Sequence, residues 1–240
     1  MRIDWSPLDA ALARRAPVLW WRDDDAVEPT PALDRLLALA EGVGAPMTLA
    51  TIPARTTDAL AARLAATPTR AAVHGWAHDS HAPEGEKNAE FGPHRPLALR
   101  MAEAERGLRV VAETFGPQAL PVFIPPWNRL APDMPGALAG AGYRGLSTYA
   151  ERIPRTTPLP RFDAHLDPID WRGTRSAVDP AGFVARICTL MQESDAPIGL
   201  MTHHLAHDPA IWALVETVVT RLTAGGARWT SLAALIDAAG

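Results

Sequence analysis

The chain has 240 residues, of which 48% are hydrophobic and 21% charged, and a formal net charge of −4. This composition suits a globular chain with a sizeable core and excludes disordered, fibrous and disulfide-stapled classes. The mild acidity leaves no electrostatic footprint for nucleic acid or an anionic membrane surface.

The N-terminal residues Met1 to Trp5 lack a basic segment followed by an apolar stretch, so no signal peptide is read and a cytoplasmic location is expected. The first strand is predicted over residues 18–22, directly before Asp23, Asp24 and Asp25. A helix follows over 31–42, with Leu33, Leu36, Leu37 and Ala40 at helical spacing. A strand over 47–52, a helix over 57–66 and a strand over 71–73 lead to His74-Gly-Trp-Ala-His78. A polar loop over 79–96 precedes a helix over 96–115, whose apolar face is read as Leu99, Ala102 and residues 108–111. The strand over 122–124 runs into Pro125-Pro126-Trp127-Asn128-Arg129. Next come a helix over 134–141, a strand over 145–148, a loop over 151–160 rich in Pro and Thr, and a strand over 165–166 before Asp167-Pro168-Ile169-Asp170-Trp171. The helix over 180–192 carries Cys188, the only cysteine, which reads as core among Phe183, Val184, Ile187 and Leu190. A strand over 198–201 ends at His203 and His204, and Asp208 with Pro209 caps a helix over 209–224. A strand over 228–229 and a helix from the Ser231 cap to near Gly240 complete the chain, in which no apolar run reaches membrane-spanning length.

Alternation of strand and helix predicts parallel pairing, in an open doubly wound sheet or a closed barrel, with residues 1–240 forming a single domain. Polar clusters fall at five predicted strand ends, which in a barrel is the C-terminal mouth where sites are built.

The chemistry of these clusters is that of a metal-dependent hydrolase. His74 and His78, four residues apart, can face one point on a helical turn. With a carboxylate they form an N,N,O set for a divalent metal with open positions. Three adjacent carboxylates repel one another unless cations or donors compensate, and the triplet divides naturally into a ligand and a neighbouring general base. Two prolines hold the Trp127 N–H in a rigid frame, as an oxyanion hole requires. His203 or His204 would serve as general acid, the choice depending on register. His81 adds a further imidazole, whereas Glu90 and His94 read as surface polarity.

Taken in order, these stretches resemble the polysaccharide deacetylases of carbohydrate esterase family 4, which carry five short motifs on a distorted (β/α)7-8 barrel. Asp23-Asp24 matches the first motif, His74 and His78 the second, and Ile124-Pro125-Pro126-Trp127-Asn128 approaches the third. Asp167-Pro168-Ile169-Asp170-Trp171 matches the fourth and Leu200-Met201-Thr202-His203 the fifth. The resemblance implies that Asp23 is the base, that Asp24, His74 and His78 hold the metal, usually zinc, that the Trp127 N–H steadies the oxyanion, and that His203 is the acid. Trp171, Asp170, Asn128 and His81 would contact the substrate, a carbohydrate or small amide. The sequence departs from the family at Ile124, where an arginine is usual and where Arg22, Arg129 or Arg172 would have to substitute, and at Asp25 and Asn128, where glycine is usual. The loop over 79–96 would be a lid or substrate loop. The implied activity is removal of an N-acetyl group. A deformylase or cyclic-amide hydrolase on the same site, and a catalytically silent sugar-binding member of the fold, are the alternatives.

Overall fold

The structure is a computed structural model that describes residues 3–150 and 157–239. The loop expected over 151–160 therefore lies mostly outside the described residues, as does the end of the last helix at Gly240. The strands are β1 (Val18–Ala26), β2 (Met47–Thr51), β3 (Arg70–His74), β4 (Ala119–Ile124), β5 (Gly145–Leu146), β6 (Ala164–Leu166), β7 (Ile198–Thr202) and β8 (Arg228–Trp229). They form an 8-stranded parallel sheet in the order β5-β4-β3-β2-β1-β7-β6, with β8 paired to the start of β1. Isolated bridges from Leu146 to Arg161 and from Tyr149 to Ala164 join the two edges. The result is a distorted (β/α) barrel, the closed form of the two sheet architectures predicted.

The connecting helices are α2 (Pro31–Gly42), α3 (Asp58–Leu64), α4 (Leu97–Phe115), α5 (Met134–Gly140), α6 (Pro180–Glu193), α7 (Pro209–Ala224) and the final α8 (Leu232–Ala239). Their starts follow from local chemistry: the side chains of Thr30, Thr57, Asp179 and Asp208 accept the N–H of Leu33, Leu60, Gly182 and Ile211, satisfying donors that a helix leaves open. Cys188 is buried on α6, as its neighbours implied. Helix α1 (Ser6–Arg14) was not anticipated, although Leu8, Ala11 and Leu12 bury one face at helical spacing. No helix among the described residues is long and apolar enough to cross a membrane.

On α4 the buried face is Arg100, Ala104, Gly107, Val111 and Phe115, whereas Leu99, expected in the core, is 53% exposed. Close approach, not apolar density, selects that face. A Cβ at Gly107 would stand 3.0 Å from both Gly75 O and Val73 Cγ1, so only a small residue lets α4 lie against the end of β3.

Strand alternation divides the core into two layers. Leu19 and Trp21 of β1 pack outward with Leu33 and Leu36 of α2 and Ile211 and Val215 of α7. Trp20 packs inside the barrel with Ala50, Ala72, Val122 and Ile124, closed below by Leu232 and Ile236 of α8. The interior is tight: a Cβ at Gly199 on β7 would stand 2.6 Å from Asp163 O and 2.8 Å from the Trp20 ring. Gly199→Ala is expected to lower stability by about 1–3 kcal/mol through overpacking, read as a fall in the urea midpoint at unchanged slope; an unchanged midpoint would show that the interior yields.

Candidate metal centre

The outcome at the carboxylate triplet is set by the end of β1. Asp23 follows the outward parity of Leu19 and Trp21. It is fully buried and accepts hydrogen bonds from Thr202 Oγ1 at 2.7 Å, from the His204 N–H at 2.9 Å and from His204 Nδ1. Thr202 Oγ1 in turn accepts the Trp21 Nε1–H. Asp23, expected as the base, is thus bonded to β7 and the residues after it and is not among those that line the cavity. Burial opposes its ionisation, and the charge and hydrogen bond of His204 outweigh that and hold it below the ordinary carboxylate range.

Asp24 shares the inward parity of Trp20 and Arg22. The Arg22 guanidinium lies side-on to it, Nε 3.1 Å from Oδ1 and Nη2 3.2 Å from Oδ2. Asp24, expected as the third metal ligand, is therefore committed to an arginine. The register of β1 against β2 shifts between Asp23 and Ala26, and Asp25 takes φ 72°. This left-handed residue breaks the alternation and turns a second consecutive carboxylate toward the mouth. Asp25, not Asp24, is the carboxylate that joins the imidazoles: its Oδ1 lies 3.1 Å from His74 Nε2 and 3.2 Å from His78 Nε2.

His74 is the last residue of β3, and His78 lies in the following loop at φ 59°. The pair converges from a strand end and a left-handed loop residue, not from the helical turn that its spacing suggested. The Ile124 carbonyl can only accept, so the 3.0 Å contact with His74 Nδ1 places a proton there and leaves Nε2 facing Asp25. Two imidazole nitrogens and a carboxylate oxygen that face one another make a donor set that fits a divalent cation. Ligand atoms at about 2.1 Å from a metal stand roughly 3.0–3.4 Å apart at octahedral to tetrahedral angles, and both measured separations fall in that interval. A carbonyl behind the imidazole is the usual partner of a metal-binding histidine. Burial lowers the His74 pKa, but Asp25 and Asp24 raise it further and leave it above the ordinary histidine value; at His78, burial and the neighbouring His74 lower it.

The other expected residues fall around this cluster. Trp127 and Asn128 both adopt left-handed φ, at 55° and 54°. The turn's hydrogen bonds run from the Asn128 N–H to Pro125 O and from the Arg129 N–H to Pro126 O, and neither uses the Trp127 N–H. The Trp127 ring packs on His78 with centroids 4.3 Å apart. Asn128 Oδ1 accepts Arg22 Nη2 at 2.6 Å, so its side chain braces the arginine. His203 lines the cavity, 3.9 Å from Asp24 Oδ2, with Trp171 edge-on against it, while His204 turns away to Asp23 in the outer layer. Asp170 sits at the rim, and its carboxylate accepts the N–H groups of Gly173 and Thr174. His81 is exposed in the loop, its N–H donated to Ala89 O, and it does not line the cavity.

Three residues take places that sequence reasoning left open or misread. Arg22 is fully buried and fills the place left open at Ile124, with Ser147 Oγ as a further acceptor at 2.6 Å. Its signal was parity, two residues before Asp24 on one strand face. Glu90 is buried, not surface: it accepts the Trp76 and Ala77 N–H groups between the two histidines, and burial raises its pKa despite those donors. Asp167 lines the cavity and accepts Trp171 Nε1–H at 2.8 Å; burial raises its pKa against the opposing effect of His203.

Neither a family model nor a curated protein sequence matches the chain. Solved structures do. A Mycobacterium smegmatis protein provisionally named a polysaccharide deacetylase superposes with a TM-score of 0.68 at 15% identity, covering 93% of each chain. The peptidoglycan deacetylase PdaC from Bacillus subtilis gives 0.61 at 13% identity, over 93% of this chain and 91% of the other. A family 4 acetyl xylan esterase from Clostridium thermocellum, in complex with cobalt, gives 0.58 at 14% identity over 92% and 91%. At these identities the likeness establishes a shared fold.

The geometry separates the three aspartates by experiment. Asp25→Ala and His74→Ala are expected to lower affinity for zinc about 100-fold or more in a chelator-competition titration. Asp23→Ala is expected to retain a zinc site but lose about 3–5 kcal/mol of stability in urea, because it strands His204 in the core. Tight zinc binding by Asp25→Ala would show that the cluster is not the ligand set.

Proposed function

We propose that this protein is a metal-dependent hydrolase that removes an N-acetyl group from an amino sugar or a related amide. One observation carries the reading: adjacent carboxylates at the barrel mouth have different commitments, Asp25 to two imidazoles and Asp24 to Arg22, with His203 Nε2 3.9 Å from Asp24. The borderline N,N,O donors of Asp25, His74 and His78 suit zinc. A divalent ion held there would polarise the amide carbonyl and make water a better nucleophile.

The chain's own residues supply the rest. Asp24 takes the proton of the attacking water, and Arg22 fixes the orientation of its carboxylate. The rigid Trp127 N–H donates to the oxygen that gains charge as the carbonyl is attacked. His203 gives a proton to the leaving nitrogen, releasing amine and acetate. Trp171 walls the cavity beside His203. The reading moves the base from Asp23 to Asp24 and the carboxylate ligand from Asp24 to Asp25, keeps Trp127, His203 and Trp171 in their expected roles, and drops His81 from the substrate contacts. The polysaccharide and peptidoglycan deacetylases among proteins of the same fold favour an acylated sugar as substrate, and the cobalt-bound esterase favours a divalent ion.

Zinc-loaded protein is expected to release acetate from N-acetylated amino sugars. Asp24→Asn and His203→Ala should each lower kcat by about 10²–10⁴-fold with zinc content unchanged. Release of formate or a ring-opened product in place of acetate would move the reaction to another amide, and no hydrolysis of any acylated substrate would overturn the enzyme reading.

A further inference from the structure

We infer that the substrate carries an anionic group away from its scissile amide, a carboxylate or a phosphate, and that Arg172 and Arg175 on the cavity wall bind it; the inference deepens the deacetylase reading and rests on it. The cavity has a volume of about 610 Å³, and its lining runs from Asp25, His74 and His78 to a rim with Arg129, Arg172 and Arg175. The carboxylates in its wall are already committed. Asp24 faces Arg22, Asp25 faces His74 and His78, Asp167 accepts Trp171 Nε1–H, and Asp170 accepts the N–H groups of its own turn. None of the four is in an ion pair with Arg172 or Arg175.

The wall that carries the two arginines is a built turn. The Asp170 N–H donates to Ser176 O, the Arg175 N–H donates to Asp170 O, and Ile169 bridges to Ala177. Arg175 is held at φ 57°, a region unfavourable for a residue with a Cβ. Its guanidinium lies 5.9 Å from the centroid of the Trp171 ring, the ring that also packs on His203. Arg172 and Arg175 are both exposed, and among the described residues neither is in an ion pair. Guanidinium forks match carboxylate and phosphate oxygens bidentately. Cations on one rim also raise the local concentration of anionic ligands. A neutral glycan would use the Trp171 face and leave this charge unmatched.

The test is calorimetric titration of the zinc-loaded protein at low salt with N-acetylglucosamine, its 6-phosphate and N-acetylmuramic acid, which separates phosphate from carboxylate. At least one anionic probe should bind about tenfold tighter than the neutral sugar. The double variant Arg172→Gln/Arg175→Gln should erase that preference while leaving zinc uptake and neutral-sugar binding unchanged. Equal affinity for all three probes, or a preference that survives in the double variant, overturns the inference. Anion preference without acetate release would sink the deacetylase reading alone, whereas acetate release without anion preference would sink this inference alone.

Discussion

Adjacent residues of a regular strand face opposite sides of the sheet, so two neighbouring carboxylates cannot both reach a barrel mouth. β1 escapes the constraint where it ends. Its register shifts after Asp23, and Asp25 enters the left-handed region, at a cost of about 1 kcal/mol that aspartate tolerates better than most residues. Asp24 and Asp25 then face one cavity side by side while Asp23 points into the outer layer. A chemically uniform triplet becomes three different groups.

Each of the three has its own partner in a different direction: His204 for Asp23, Arg22 for Asp24, and the His74 and His78 imidazoles for Asp25. The mutual repulsion of adjacent carboxylates is offset by this arrangement. The barrel interior must make room for it. Ala50 and Ala72 are small where Trp20 and Arg22 are large, and the guanidinium is held by Asp24, Ser147 and Asn128 from three sides. A buried ion pair of this kind adds little to stability by itself; its effect is to leave Asp24 one orientation.

Most of the fold was legible because it rests on short-range signals. Asp208 and Ser231 announce their helices, and the alternation of short apolar runs with helical periodicity implies a parallel sheet. The approximate site was legible too, since His74, Trp127, Trp171 and His203 follow strand ends. The assignment among Asp23, Asp24 and Asp25 was not. Val18-Leu19-Trp20-Trp21 is apolar on both faces, as a strand buried on both sides must be, so nothing in it sets parity. A one-residue error then moves every role by one position. Arg22 was one of three arginines that could have filled the place at Ile124, and only its position inside the barrel distinguishes it. On α4, apolar density favoured Leu99, while the requirement for close approach selected Ala104 and Gly107.

The loop between His78 and α4 reads as a polar insert, yet it fixes the centre. Glu90 reaches back to the Trp76 and Ala77 N–H groups, and a Cβ at Gly75 would stand 2.1 Å from its Oε2 and 2.6 Å from Pro126. The same loop is tied to the turn that carries Trp127, through the Ala131 N–H bonded to Phe91 O and through Arg129 Nη1 bonded to Asn88 O. Opening it as a lid would strip a buried carboxylate of its donors, a costly step, and would release His78 and Trp127 together. It therefore acts as a wall: the segment that carries Asn88 to the cavity also sets the spacing of the two imidazoles, so the shape of the cavity and the geometry of the Asp25, His74 and His78 cluster are coupled through one buried glutamate.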